Sequence, residues 1–263
     1  MKTSFLLCSL ALFLHKTNGP QRMIIQTEAL VLRVIKHADN RMIVEMFTRS
    51  HGRVSFAVPR STSPKARLKR QYFIPLTLLS VVYDQRTGAS LQHLREAAPL
   101  HPYMSIPMNP AKLGIALFIS EFLTHALKGE EGTEMLIDYI ADSLMWLDNC
   151  TGVFANFHIV FMLKLTQFLG FSPNLADYTP NCCFDLRGAC FCASVPIHPQ
   201  YLKPEEAVVI LSLMRLSYAT MHLFRMSRTE RQRLIEVIEQ FYRLHLPNFP
   251  ELRSPDVLGE LYK

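Results

Sequence analysis

The strongest constraint on this chain is a change of hydrophobic period across a proline-rich stretch, residues 99–110. Before it, apolar and β-branched residues come in short runs at 24–35, 42–48, 52–58, 72–83 and 90–94, and the run 52–58 alternates strictly, as a half-buried strand does. Ala38-Asp39-Asn40 and Ser50-His51-Gly52 separate the first three runs, and connections that short join antiparallel neighbours. Pro75 cannot donate to a ladder, so the fourth run is expected to begin as an edge or bulge. Five short strands predict a small barrel. A five-stranded Greek-key barrel of the OB type fits, as do other small β-modules.

After residue 110 the period becomes helical. Leu113, Ala116, Leu117, Ser120, Leu123 and Leu127 share one face of a helix over 111–128 that stops at Gly129. A second helix is expected over 133–147, opened by Thr133 and Glu134, and a third over 154–169, closed by Gly170. Pro204-Glu205-Glu206 suits the first turn of a fourth, and Ser227 with Glu230 forms a capping box for a fifth over 229–244. The expected class is therefore α+β: a strand-rich domain at 23–98, then an all-α helical domain at 99–263 with an irregular cysteine-containing insert at 171–202. With 49% hydrophobic and 19% charged residues the chain can bury a sizeable core. No internal repeat stands out, and no apolar run reaches the roughly 18–20 residues of a membrane-spanning helix.

The first 22 residues read differently. Lys2 precedes an apolar run at 5–14, as in a secretory signal, but the following His15, Lys16, Thr17, Asn18 and Gly19 make a poor cleavage site. Removal would also take Cys8 and leave five cysteines, an odd number for a disulfide framework, which points to reduced thiols. A second start is available at Met23, so residues 1–22 are expected to be an over-extended start, with a signal-like segment as the alternative.

Charge is divided unevenly along the chain. Residues 23–98 hold twelve Lys or Arg against five Asp or Glu, a net +7, whereas residues 99–263 hold thirteen against seventeen, a net −4. Between Met46 and Tyr83 there is no acid at all, while Arg49, Arg53, Arg60, Lys65, Arg67, Lys69 and Arg70 supply seven positive charges. Such density attracts phosphates and predicts salt-dependent binding of nucleic acid, with Phe56, Tyr72 and Phe73 as possible stacking faces for unpaired bases. Arg225, Arg228, Arg231 and Arg233 form a smaller patch whose simpler reading is a solvated helix face paired with Glu230 and Glu236.

Cys182-Cys183 followed by Cys190 and Cys192 invites a zinc reading, but the spacing departs from paired C-x-x-C knuckles, so no metal is assigned. Neither a P-loop, a nucleophile elbow, a zinc-protease motif nor a dinucleotide fingerprint occurs, and the chain reads as non-enzymatic with no cofactor. Glu130, Glu131 and Glu134 open a helix, and His158 lies on an apolar one; both placements have structural explanations.

Several phrases in collinear order resemble the bacterial RecO family of recombination mediators: IQTEALVL at 25–32, GRVSF at 52–56, FLGFSPNL at 168–175 and YATMHLF at 218–224, the last two resembling its Bacteroides-type branch. The resemblance spans residues 23–263. It implies an N-terminal OB-fold and a helical domain. It also implies binding of single- and double-stranded DNA, annealing of complementary strands and loading of RecA onto DNA coated with single-strand-binding protein. RecR and the acidic tail of that protein would be partners, without a membrane, in the cytoplasm. Many relatives carry a four-cysteine zinc module after the LGF phrase; here the four cysteines occupy that region with different spacing. The competing reading is a secreted or surface protein with disulfides.

Overall fold

The computed structural model describes residues 22–38, 40–59 and 67–254. Five strands, β1 (Arg22–Ala38), β2 (Arg41–Thr48), β3 (Gly52–Pro59), β4 (Leu78–Arg86) and β5 (Gln92–Pro99), close a barrel in the order β1-β2-β3-β5-β4. All pairings are antiparallel except β3 with β5, which meet in parallel at Phe56–Gln92 and Ala57–His93. This order, with its long first strand shared between two neighbours, is that of an OB-fold. β1 pairs with β4 over residues 22–30 and with β2 over residues 29–38; a register shift between Val31 and Arg33 bends it around the barrel. Inward-facing Val31, Met42, Val44, Met46, Phe56, Val58, Val81, Tyr83 and Leu94 fill the interior.

Two strands differ from the sequence reading. β4 begins at Leu78, because the chain makes a single 3-10 turn at Arg70–Tyr72, passes Pro75 and turns through Leu76 at positive φ before pairing. β5 runs on to Pro99, well past the run read at 90–94. Opposite it a register shift between Val82 and Tyr83 makes Leu94 and Ala97 the inward residues, three apart, so period-two alternation is lost.

The helices are α1 (Pro110–Ala126), α2 (Glu134–Asn149), α3 (Phe157–Phe168), α4 (Pro204–Met214) and α5 (Arg228–His245). Their starts follow the capping chemistry. The Asn109 side chain accepts from the Ala111 and Lys112 amides, Thr133 from Leu136, and Ser227 and Glu230 complete a reciprocal box. The second domain is not all-α. The segment read as irregular folds into a small sheet, β6 (Cys183–Asp185), β7 (Cys190–Cys192) and β8 (Tyr201–Leu202), in the order β7-β6-β8. Strands of two or three residues are too short for a period to show, and the sheet is held by Phe184, Phe191 and Leu202 packing on Ile210, Leu211, Val237 and Phe241.

Barrel and helices share one core: Leu30, Leu32, Phe47, Leu76 and Leu78 pack with Ile115, Ile119 and Phe122 of α1. Ser120 Oγ donates to the Leu32 carbonyl at 2.8 Å. The proline-rich connection is pinned by Asp148, which accepts from the Met104, Ser105 and Ile106 amides at 2.9, 2.8 and 2.7 Å. Buried Lys112 donates to Ser105 Oγ and to the Asp148 and Cys150 carbonyls, completing the attachment.

Candidate nucleic-acid interface

The acid-free stretch of sequence divides in space into a buried part and a projecting part. Arg49 lies in the β2–β3 turn, where its guanidinium donates to Glu28 of β1 (Nε at 3.0 Å) and to Asp138 of α2 (2.5 Å). Arg53 donates to the Thr124 carbonyl of α1 at 2.7 Å and pairs closely with Glu45, which also binds Arg33 at 2.8 Å. Burial opposes ionisation of Glu45, but the hydrogen bonds from Arg33 and Arg53 outweigh it and hold its carboxyl below the ordinary range. Acids from outside the acid-free stretch therefore pair with both arginines, and the two side chains fasten the barrel to the helices. Phe56 is fully buried against Tyr83 in the barrel interior, so the expectation that it stacks on bases is corrected.

The projecting part follows β3. Leu68, Phe73 and Leu76 are buried anchors, and the residues between them are turned outward. Arg67, its side chain 80% exposed, has one ion pair, to Glu96 at 3.2 Å, across a shallow groove lined by Gln26, Ser80 and Val82. Lys69 Nζ lies 5.9 Å from the centroid of the Tyr72 ring; the ring backs onto the barrel core and is half-buried, and Arg70 is exposed. Phe73 is buried, unlike Tyr72. Arg60 and Lys65 lie outside the described residues.

Sequence reasoning passed over a second group of cations. The hairpin between β1 and β2 carries Lys36, His37 and Arg41, all exposed, beyond the last β1–β4 pairing. In barrels of this type the β2–β3 face and its flanking loops receive oligonucleotides. The signal was present in the sequence as basic residues on both sides of Asp39-Asn40, but the acid at Asp39 interrupts the positive run.

The smaller patch also divides. Arg231 is half-buried, donating to Asn156 Oδ1 at 3.2 Å and to the Met226 carbonyl, while Arg225 and Arg228 are exposed. Arg233 pairs with Glu206 and Glu236. Among the cysteines, Cys182 packs into the core of the small sheet, and Cys183, Cys190 and Cys192 lie on its strands as free thiols. Among the described residues no group of three His, Cys, Asp or Glu is placed to hold a metal ion. His158 is fully buried beside Phe118, and desolvation pushes its pKa down to about 3, so the ring is neutral. No described helix is long and apolar enough to cross a membrane.

Comparison with known proteins agrees with the barrel-plus-helices architecture. The family model described as "Recombination protein O N terminal" matches residues 23–103, and "Recombination protein O C terminal" matches residues 108–254. A protein of Bacteroides fragilis named DNA repair protein RecO is 46% identical over 241 residues, covering 91% of this chain and all of the relative. A protein of the same name from Phocaeicola vulgatus is 43% identical over 240 residues, and one from Porphyromonas gingivalis 32% over 245, each again matched along its whole length and over 91% of this chain. The chain belongs to the RecO family of DNA repair proteins, in its Bacteroides branch.

Proposed function

We propose that this protein is a non-catalytic recombination mediator that holds single- and double-stranded DNA on its barrel through Arg67, Lys69, Arg70 and the Tyr72 ring, assisted by Lys36, His37 and Arg41. The observation that carries the reading is the projecting segment 67–72. There three basic side chains stand on apolar anchors beside a half-buried aromatic ring, with one exposed, weak ion pair between them. Phosphates engage the cations, and one unpaired base rests on Tyr72, a combination tolerant of sequence. Arg49 and Arg53, being neutralised at the domain junction, are left out of the interface, and Arg225 and Arg228 form at most a secondary contact. Holding two strands on one basic surface lowers their mutual repulsion, which supports annealing. The family membership supports cytoplasmic action on DNA coated with single-strand-binding protein, with RecA as the loaded protein and RecR and the acidic tail as partners.

The test is strand annealing with purified full-length protein. The protein is expected to accelerate pairing of complementary oligonucleotides, to do so on strands coated with single-strand-binding protein, and to lose this when that protein lacks its tail. The variant K69E/R70E should lose at least tenfold in DNA affinity while its melting temperature stays unchanged. Annealing and affinity at wild-type level in that variant would overturn the assignment.

A further inference from the structure

We infer that Cys183 and Cys192 are a thiol pair that closes to a disulfide on exposure to a peroxide, making the β6–β7 hairpin an oxidation site of this protein. The two residues are direct partners in the antiparallel register, so their side chains stand on the same face of the sheet. Directly opposed residues in such a pair have Cα atoms about 4.5 or 5.5 Å apart, and both values fall within the roughly 4.4–6.8 Å that a disulfide spans. Cys192 Sγ already reaches across the pair, 3.7 Å from the Cys183 carbonyl oxygen.

The other face of the hairpin explains why this pair stays in place. Phe184 and Phe191, the intervening partners, turn inward with ring centroids 5.0 Å apart and belong to the core under the sheet. Cys182 belongs to that core too, so it lies apart from the outer pair. Cys190 is opposite Asp185, one step along the same outer face. Of the two partners Cys192 is half-buried and Cys183 buried, which makes Cys192 the thiol that meets the oxidant and Cys183 the one that resolves it.

In the first step the Cys192 thiolate attacks one peroxide oxygen, the O–O bond breaks, and hydroxide leaves to become water, giving a sulfenic acid. The Cys183 thiolate then attacks that sulfur, the S–O bond breaks, and a second water leaves. Two thiols are oxidised by two electrons and hydrogen peroxide is reduced to two waters. Burial, with the nearby Cys183 and Asp185, raises the Cys192 thiol above its ordinary range, so the rate should climb with pH throughout the neutral region.

The experiment treats the full-length protein with hydrogen peroxide, blocks remaining thiols and digests with trypsin, which cuts after Arg187, between the two cysteines. The expected result is a pair of peptides, one on each side of Arg187, joined until reductant is added and about 2 Da lighter than their sum. C192S should abolish the joined pair, and C182S and C190S should retain it; C192S removes a half-buried group and keeps the test available if C183S fails to fold. Unjoined peptides at a peroxide dose that oxidises the half-buried Cys150, or a joined pair surviving in C192S, would overturn the proposal.

Discussion

Asp148 pins the segment that connects the two domains. Burial opposes its ionisation, but three backbone amides and the charge of Lys112 outweigh this and hold it below the ordinary carboxylate range. A carboxyl with a lowered folded pKa contributes stability that is present above its unfolded value and lost as pH falls through the folded one. D148A should therefore cost on the order of 2 kcal/mol at pH 7, by denaturant unfolding, with the difference from wild type shrinking below about pH 4. Glu239 behaves oppositely. Burial, only partly offset by Arg243 and the Leu252 amide, pushes it up to about 7. Its contribution is complete below the unfolded value and disappears as pH rises through about 7, so E239Q should be neutral near pH 4 and more stable than wild type at pH 8.5, in the same measurement. Neither site was legible in the sequence, since the amides of 104–106 meet a carboxylate more than forty positions away. The fate of Arg49 and Arg53 was hidden for a similar reason, since charge counted along a chain cannot foresee that Glu28, Glu45 and Asp138 converge on them, whereas the burial of Phe56 was legible in the alternation that sets it on one face with Val54 and Val58.

Elements were more legible than contacts. Helix starts at Thr133 and Ser227 carry their own caps, so local chemistry was enough there, and the first three strands announce themselves by short apolar runs and the turns between them. β5 and the small sheet were obscured by a register shift and by brevity, both of which erase period. The β2–β3 turn and the loop before α2 meet backbone to backbone. A Cβ on Gly132 would come within 2.3 Å of the Thr48 carbonyl oxygen, and one on Gly52, itself at φ +58°, within 2.4 Å of the Glu130 carbonyl. Both obstacles are backbone, which cannot swing aside. G132A should therefore destabilise the protein by about 2–3 kcal/mol and loosen the junction, seen as faster amide exchange in Thr48 to Gly52 while exchange in α5 stays at the wild-type rate.

At the scale of the molecule, the uneven division of charge becomes a division of surfaces. The barrel keeps projecting cations after its internal pairs are satisfied, and the helical domain, with its excess of acids, holds the barrel through Asp138, the Thr124 carbonyl and a shared apolar core. The sequence carried this polarity and the family resemblance; which cations remain free required the fold. The claim that Arg67, Lys69 and Arg70 meet phosphates is open to direct measurement through counterion release, because each contact with a single strand adds about 0.7 to the slope of log affinity against log salt. For R67Q/K69Q/R70Q bound to a labelled single-stranded oligonucleotide, the slope should be shallower than wild type by about 2. A slope equal to that of the wild type would contradict the account.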